Sequence, residues 1–173
     1  YDCKSLCSLN LSKWNTSKLN TLDSCFEGCK KLHNLDISTW STSEVVYMGH
    51  CFSGCENLRE LDISLWNVSK VRILSHCFEV CTKLTILDLA LWNTSRIETI
   101  EYCFARCTSL VYLNIENWVI NERCNAKDMF NECDNLSLIK CRQDTFEKFK
   151  GSLKGVWEYE NGFATKISTI NGE

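Results

Sequence analysis

Hydrophobic and polar positions alternate in this chain in a pattern that restarts at a fixed interval. Leu9-Asn10-Leu11, Leu35-Asp36-Ile37, Leu61-Asp62-Ile63, Leu87-Asp88-Leu89 and Leu113-Asn114-Ile115 each place a polar residue between two aliphatic ones, the period-two signature of a short strand with one buried face. Three residues after each triplet stands a tryptophan: Trp14, Trp40, Trp66, Trp92 and Trp118. So large a residue recurring at one position reads as a core ladder. Polar segments such as Asn15-Thr16-Ser17 and Asn93-Thr94-Ser95 follow and read as exposed turns. Apolar positions then run at spacings of three and four, as in Leu19, Leu22, Phe26 and Cys29 or Ile97, Ile100, Phe104 and Cys107, which predicts a short helix carrying both cysteines near one face.

The stretch Cys25-Phe26-Glu27-Gly28-Cys29 returns every 26 residues, at Cys51, Cys77 and Cys103, and once more as Met129-Phe130-Asn131-Glu132-Cys133. A fixed period of this length implies stacked units burying a shared core. One strand, one turn and one helix per unit predict an α/β repeat wound as a right-handed parallel solenoid. Five full units fill 9–138 after the end of an earlier one, so residues 1–141 are expected to form the solenoid and 142–173 a C-terminal cap. Within that cap, Thr145 to Leu153 reads as a helix, and Asn161-Gly162 as the turn of a hairpin. The last residues, 168–173, are expected to fray. Because Tyr1 falls inside a repeat, the chain reads as a piece of a longer protein.

Composition narrows the function classes. A net charge of -3 over 173 residues offers no electrostatic footprint for nucleic acid or anionic lipid, and no apolar run is long enough to insert in a membrane. No phosphate-binding glycine loop or His-Glu-x-x-His is present, so the chain reads as a non-catalytic protein without cofactors. His50 and His76 directly precede Cys51 and Cys77; on a helix they would point away from them, and no metal site is expected.

Units such as Leu61-Asp62-Ile63-Ser64-Leu65-Trp66-Asn67-Val68-Ser69, followed by Cys77-Phe78 and Cys81, resemble the BspA-like leucine-rich repeats, the DUF285 repeats of bacterial and protist surface proteins. That family's repeat reads roughly Leu-Asp-Leu-Ser-x-Trp-Asp/Asn-Thr-Ser, then Met-x-x-Met-Phe-x-Gly-Cys. The likeness covers about residues 3–141. It departs where Cys25, Cys51, Cys77 and Cys103 stand in place of the second Met. The resemblance implies a leucine-rich-repeat-like solenoid, secreted or displayed at a cell surface, that binds a protein or glycan ligand in adhesion. A purely structural spacer is the alternative, and a thiol-dependent enzyme built on Cys7 or a metal-binding protein a more distant one.

Thirteen cysteines admit three readings. Units stacked about 4.8 Å apart lie within the Cα separation a disulfide accepts, so each unit's second Cys would bridge the next unit's first: Cys3–Cys25, Cys29–Cys51, Cys55–Cys77 and Cys81–Cys103, with Cys107–Cys124 and Cys133–Cys141 completing the set. Bridging within one helix is the second reading, and reduced thiols packed as small hydrophobes the third. For ligand binding, the outward strand positions form columns: Asn10, Asp36, Asp62, Asp88 and Asn114, then Ser12, Ser38, Ser64, Ala90 and Glu116, with Thr39, Leu65 and Leu91 varying beside them. Variation at exposed positions of a regular scaffold is where recognition is expected. Asn10, Asn15, Asn67, Asn93 and Asn135 begin Asn-x-Ser/Thr triplets, read as turn chemistry or glycosylation acceptors.

Overall fold

A computed structural model describes residues 2–11 and 13–167; Ser12 and the expected frayed end at 168–173 lie outside the described residues. Consecutive units pair in parallel with a register of 26 residues. Ser8–Asn10 (β1) pairs with Asn34–Asp36 (β2), and Ile86–Asp88 (β3) pairs with Tyr112–Asn114 (β4), which pairs with Leu138–Lys140 (β5). Elsewhere on each unit, isolated parallel bridges join Thr21 to Tyr47, Tyr47 to Ile73, Ile73 to Thr99 and Thr99 to Asn125. Leu35 and Leu87 are buried in mid-strand between exposed neighbours, as the alternating pattern demands.

The stretch expected to be helical is not. Residues 23–28, 49–54, 75–80, 101–106 and 127–132 are runs of turns, and among the described residues the one α-helix is Gln143–Phe149 (α1). The amides of Cys25 and Cys29 close four-residue turns onto the carbonyls of Leu22 and Phe26. The intervening amides of Leu22, Ser24, Phe26 and Gly28 donate instead to Tyr47, Gly49, Cys51 and Ser53 in the next unit. Half of the amides therefore close turns, and the other half staple units together. Ser24 (φ 54) and Gly28 (φ 70) occupy the third place of their turns, where a positive φ marks the type II geometry. Two consecutive four-residue turns bring every fourth side chain inward, nearly the period of a helix, which is why the hydrophobic spacing alone mimics one.

Aromatic columns run through the stack. Phe26, Phe52, Phe78, Phe104 and Phe130 lie ring over ring at 5.4–5.6 Å, and the tryptophans beside them are parallel, as with Trp40 and Trp66 at 6.2 Å. The indole nitrogens of Trp66, Trp92 and Trp118 each donate at 3.0 Å to a carbonyl of the preceding unit: Ile37, Ile63 and Leu89. Burial thus costs these indoles no hydrogen bond. Trp40 stands outside this scheme, its buried indole nitrogen having no partner among the described residues.

The structure contains none of the expected disulfides. None of Cys3–Cys25, Cys29–Cys51, Cys55–Cys77, Cys81–Cys103, Cys107–Cys124 or Cys133–Cys141 is joined. The reason is register. Parallel stacking sets each cysteine beside its own equivalent one unit on, as Cys51 beside Cys77 and Cys3 beside Cys29, rather than beside a member of the other column. Thiols of the second column bond to backbone instead: those of Cys55, Cys81, Cys107 and Cys133 donate to the carbonyls of Phe26, Phe52, Phe78 and Phe104 at 3.2, 3.2, 3.0 and 2.8 Å. Desolvation holds them protonated, pushing Cys55 and Cys133 up to about 12 and Cys81 and Cys107 well above the ordinary 9.0.

At the C-terminal end, α1 lays Phe149 edge-on against Phe130 at 5.1 Å, while Thr145 donates its hydroxyl to the Trp118 carbonyl at 2.7 Å. Val156–Glu160 (β6) and Phe163–Ile167 (β7) form an antiparallel hairpin, and β7 adds antiparallel to β5. Asn161 and Gly162, with φ of 51 and 85, make its turn, since both central residues of a type I′ turn require positive φ.

Candidate functional site

The strand face bears the predicted columns, and most of their side chains have structural partners. Asp36 Oδ1 accepts from the amide and hydroxyl of Ser38 at 3.4 and 3.0 Å; Asp62 Oδ1 accepts from those of Ser64 at 3.3 and 2.9 Å. Each is a side-chain turn that bends the chain from strand into core. Asp88 accepts from the Ala90 amide and, through Oδ2, from Asn114 Nδ2 at 3.1 Å. Asn114, expected on the open face, is buried; β4 lies between two strands and its amide is used by Asp88. Asn10, Asp36, Asp62 and Asp88 remain exposed, as do Thr39, Leu65 and Leu91, while Ser38 and Ser64 are half-buried. In the Asn-x-Ser triplets the side chain of Asn15, Asn67 or Asn93 accepts from the amide two residues on, so these residues serve the turn.

One predicted strand is missing. Leu61-Asp62-Ile63 makes no ladder, and the sheet is divided into β1-β2 and β3-β4-β5-β7-β6 on either side of it. The break follows the charges. Pairing holds where a neutral side chain faces an acid, as Asn10 faces Asp36 and Asn114 faces Asp88, and is absent where the period would set Asp36 against Asp62 and Asp62 against Asp88. Carboxylates about 5 Å apart repel by roughly 0.8 kcal/mol even in water, and like charges opposite each other destabilise a strand pair. Glu60 adds a fourth charge.

Two hollows flank this segment. One, of about 510 Å³, lies between Asn34, Asp36 and Ser38 on one side and Glu60 and Asp62 on the other. The second, of about 470 Å³, is bounded by Arg59, Asp62, Thr85, Ile86 and Asp88. Asp62→Asn is expected to close the ladder, raising stability by about 1 kcal/mol in urea denaturation at low salt, with the gain shrinking as salt screens the wild-type repulsion. An unchanged or lowered midpoint would show that charge does not cause the break.

Apolar groups border the acids. Leu65 and Leu91, one unit apart, are 75% and 66% exposed, and Ile86 is 59% exposed in β3. Ile86 and its equivalent Tyr112 belong to the first outward column, Ser8, Asn34, Glu60, Ile86, Tyr112 and Leu138, absent from the sequence-derived face. Its signal was present in the residue preceding each Leu-Asp/Asn pair and, for Leu138, the equivalent Ile139-Lys140. The face therefore passes from acidic around Asp36, Glu60 and Asp62 to apolar around Ile86 and Tyr112.

This geometry defines a β-rich protein of parallel-paired 26-residue units with, among the described residues, one short α-helix and an open, divided strand face. The chain belongs to the family described as Mycoplasma protein of unknown function, DUF285, whose model matches residues 1–86 and 33–140. No curated protein and no solved structure matches it. Among the described residues no helix is long and apolar enough to cross a membrane.

Proposed function

We propose that the chain is a non-catalytic interaction module, a right-handed leucine-rich-repeat-like solenoid of the BspA type, secreted or displayed at a cell surface. Its strand face would engage a protein or glycan ligand in adhesion. The observation that carries this reading is the exposure of Leu65, Leu91 and Ile86 beside the acid-bordered hollows. Large aliphatic side chains left in water on a scaffold with an ample buried core mark an interaction surface, and the adjacent carboxylates favour a partner presenting basic groups around an apolar anchor.

The test compares the wild-type chain with a Leu65→Glu/Leu91→Glu variant on arrays of glycans and cell-surface proteins. These exposed positions tolerate charge, so the variant should keep the wild-type unfolding midpoint. Its binding to any partner captured by the wild type should fall at least about tenfold, the equivalent of 1.4 kcal/mol. Equal binding by both chains would assign recognition to another face.

A further inference from the structure

The turn ladder carries a second group of side chains, which the strand-face reading does not use. Ser24, His50, His76, Tyr102 and Asp128 occupy equivalent places one unit apart, each with φ between 50 and 57. On stacked helices, whose axes lie about 8–10 Å apart, His50 and His76 would stand too far apart for ring-on-ring contact. In this ladder equivalent side chains stand directly over one another: the two imidazoles are parallel to within 5° at 4.5 Å between centroids. Tyr102 stacks on the other side of His76 at 5.2 Å and is anchored by its hydroxyl, which donates to Asp128 at 2.8 Å.

The turn that follows His76 adds a carboxylate. The amide of Glu79 bonds back to the His76 carbonyl at 3.1 Å, and this closure brings Glu79 Oε2 to 2.8 Å from His76 Nδ1. Equivalent positions in the neighbouring units hold Ser53 and Ala105, so only here does a carboxylate join the stacked imidazoles. One ligand atom from each of His50, His76 and Glu79 lies within 4.8 Å of the others, and all three residues are half-buried.

We propose that His50, His76 and Glu79 bind a divalent transition-metal ion of the zinc class. Two imidazole nitrogens and one carboxylate suit zinc, nickel or copper rather than calcium or magnesium, which take oxygen donors. A tetrahedral ion with bonds of about 2.0–2.1 Å holds its ligand atoms roughly 3.3 Å apart, so the three side chains must close by about 1.5 Å, a movement available through rotation of surface rotamers. Where the ion takes His76 Nδ1, the ring proton moves to Nε2; the bond to Glu79 is replaced by metal–nitrogen and metal–oxygen bonds, with no net proton released from neutral imidazoles. Three protein ligands leave a fourth position for water or for a group from a partner.

The test is isothermal titration with Zn²⁺ at pH 7.5, using a chain in which the exposed competing thiols Cys3, Cys7 and Cys25 are changed to serine. One ion per chain should bind in the micromolar range. His50→Gln or His76→Gln should abolish measurable binding, and Glu79→Gln should weaken it at least about tenfold. His33→Gln, altering the one other histidine, should change nothing. Co²⁺ bound at the same site should show visible ligand-field bands without thiolate-to-metal charge transfer. Circular dichroism of each variant separates lost binding from lost fold. Absence of saturable binding up to millimolar Zn²⁺, binding that survives His76→Gln, or a thiolate band in the cobalt spectrum would overturn the assignment.

Discussion

Phe78→Ala is expected to lower the unfolding free energy by about 3–5 kcal/mol. Phe78 is fully buried between Phe52 at 5.6 Å and Phe104 at 5.4 Å, with Trp92 at 6.4 Å beside it. Removing the ring deletes its transfer free energy and two stacking contacts, each worth about 0.5–1.5 kcal/mol. It also leaves a void between turns whose backbones are tied on both sides by the Phe52 amide to the Cys77 carbonyl and the Phe78 amide to the Cys103 carbonyl. The stack therefore has little freedom to collapse inward. Chemical denaturation of wild type and variant measures the loss, read from the midpoint at constant slope. A fall in slope would instead report that the two halves unfold separately, as repeat stacks can when a central interface weakens. A loss below about 1.5 kcal/mol would mean that the column repacks.

The second large effect is a steep alkaline unfolding. Burial raises the thiols of Cys55 and Cys133 to about 12, and those of Cys51, Cys81, Cys103 and Cys107 well above 9.0. Below about pH 9 these groups hold their protons in both states, and their contribution is constant. Above it the unfolded chain releases protons that the folded chain retains, so stability falls as pH rises towards the folded values. Each thiol forfeits about 1.4 kcal/mol per pH unit. Six together reach the 5–15 kcal/mol of an ordinary domain within roughly one to two units. In the presence of reductant, circular dichroism should therefore report cooperative unfolding between about pH 10 and 11. In Cys81→Ser/Cys107→Ser the slope should be shallower, since a serine hydroxyl can donate to the same carbonyls without titrating in this range. Stability unchanged to pH 11, or an unchanged slope in that variant, would contradict the account.

How much of this was legible beforehand follows from which interactions are local. Alternation around Leu35 and Leu87 marks strands, because side chains on neighbouring strand residues face opposite ways whatever lies beyond. Asn161-Gly162 marks a tight turn, because those two residues adopt positive φ at little cost. The cysteine columns were visible in the sequence, but which thiols stand side by side was not, because that depends on the register between units. A helix and a pair of consecutive type II turns both bury every third or fourth residue, so hydrophobic spacing cannot separate them. The difference lies in the amides of residues such as Ser24 and Phe26, which reach into the next unit.

By itself, then, the sequence determined the period, the stacking of like on like and most of the residues that face inward, the exception in the tryptophan ladder being Trp14, which is 64% exposed. These follow from repetition and from the burial of Leu, Trp and Phe. Tertiary structure alone decided what lies between the repeats. It made the Cys-Phe stretch a turn ladder rather than a helix, because half of its amides have partners 25 residues away. It set Cys51 beside Cys77, leaving the thiols free, and His50 over His76, where Glu79 can reach them. It opened the strand face at Asp62, where the register would bring equal charges together. Each of these outcomes depends on a contact between units, and such a contact has no trace in the order of residues within one.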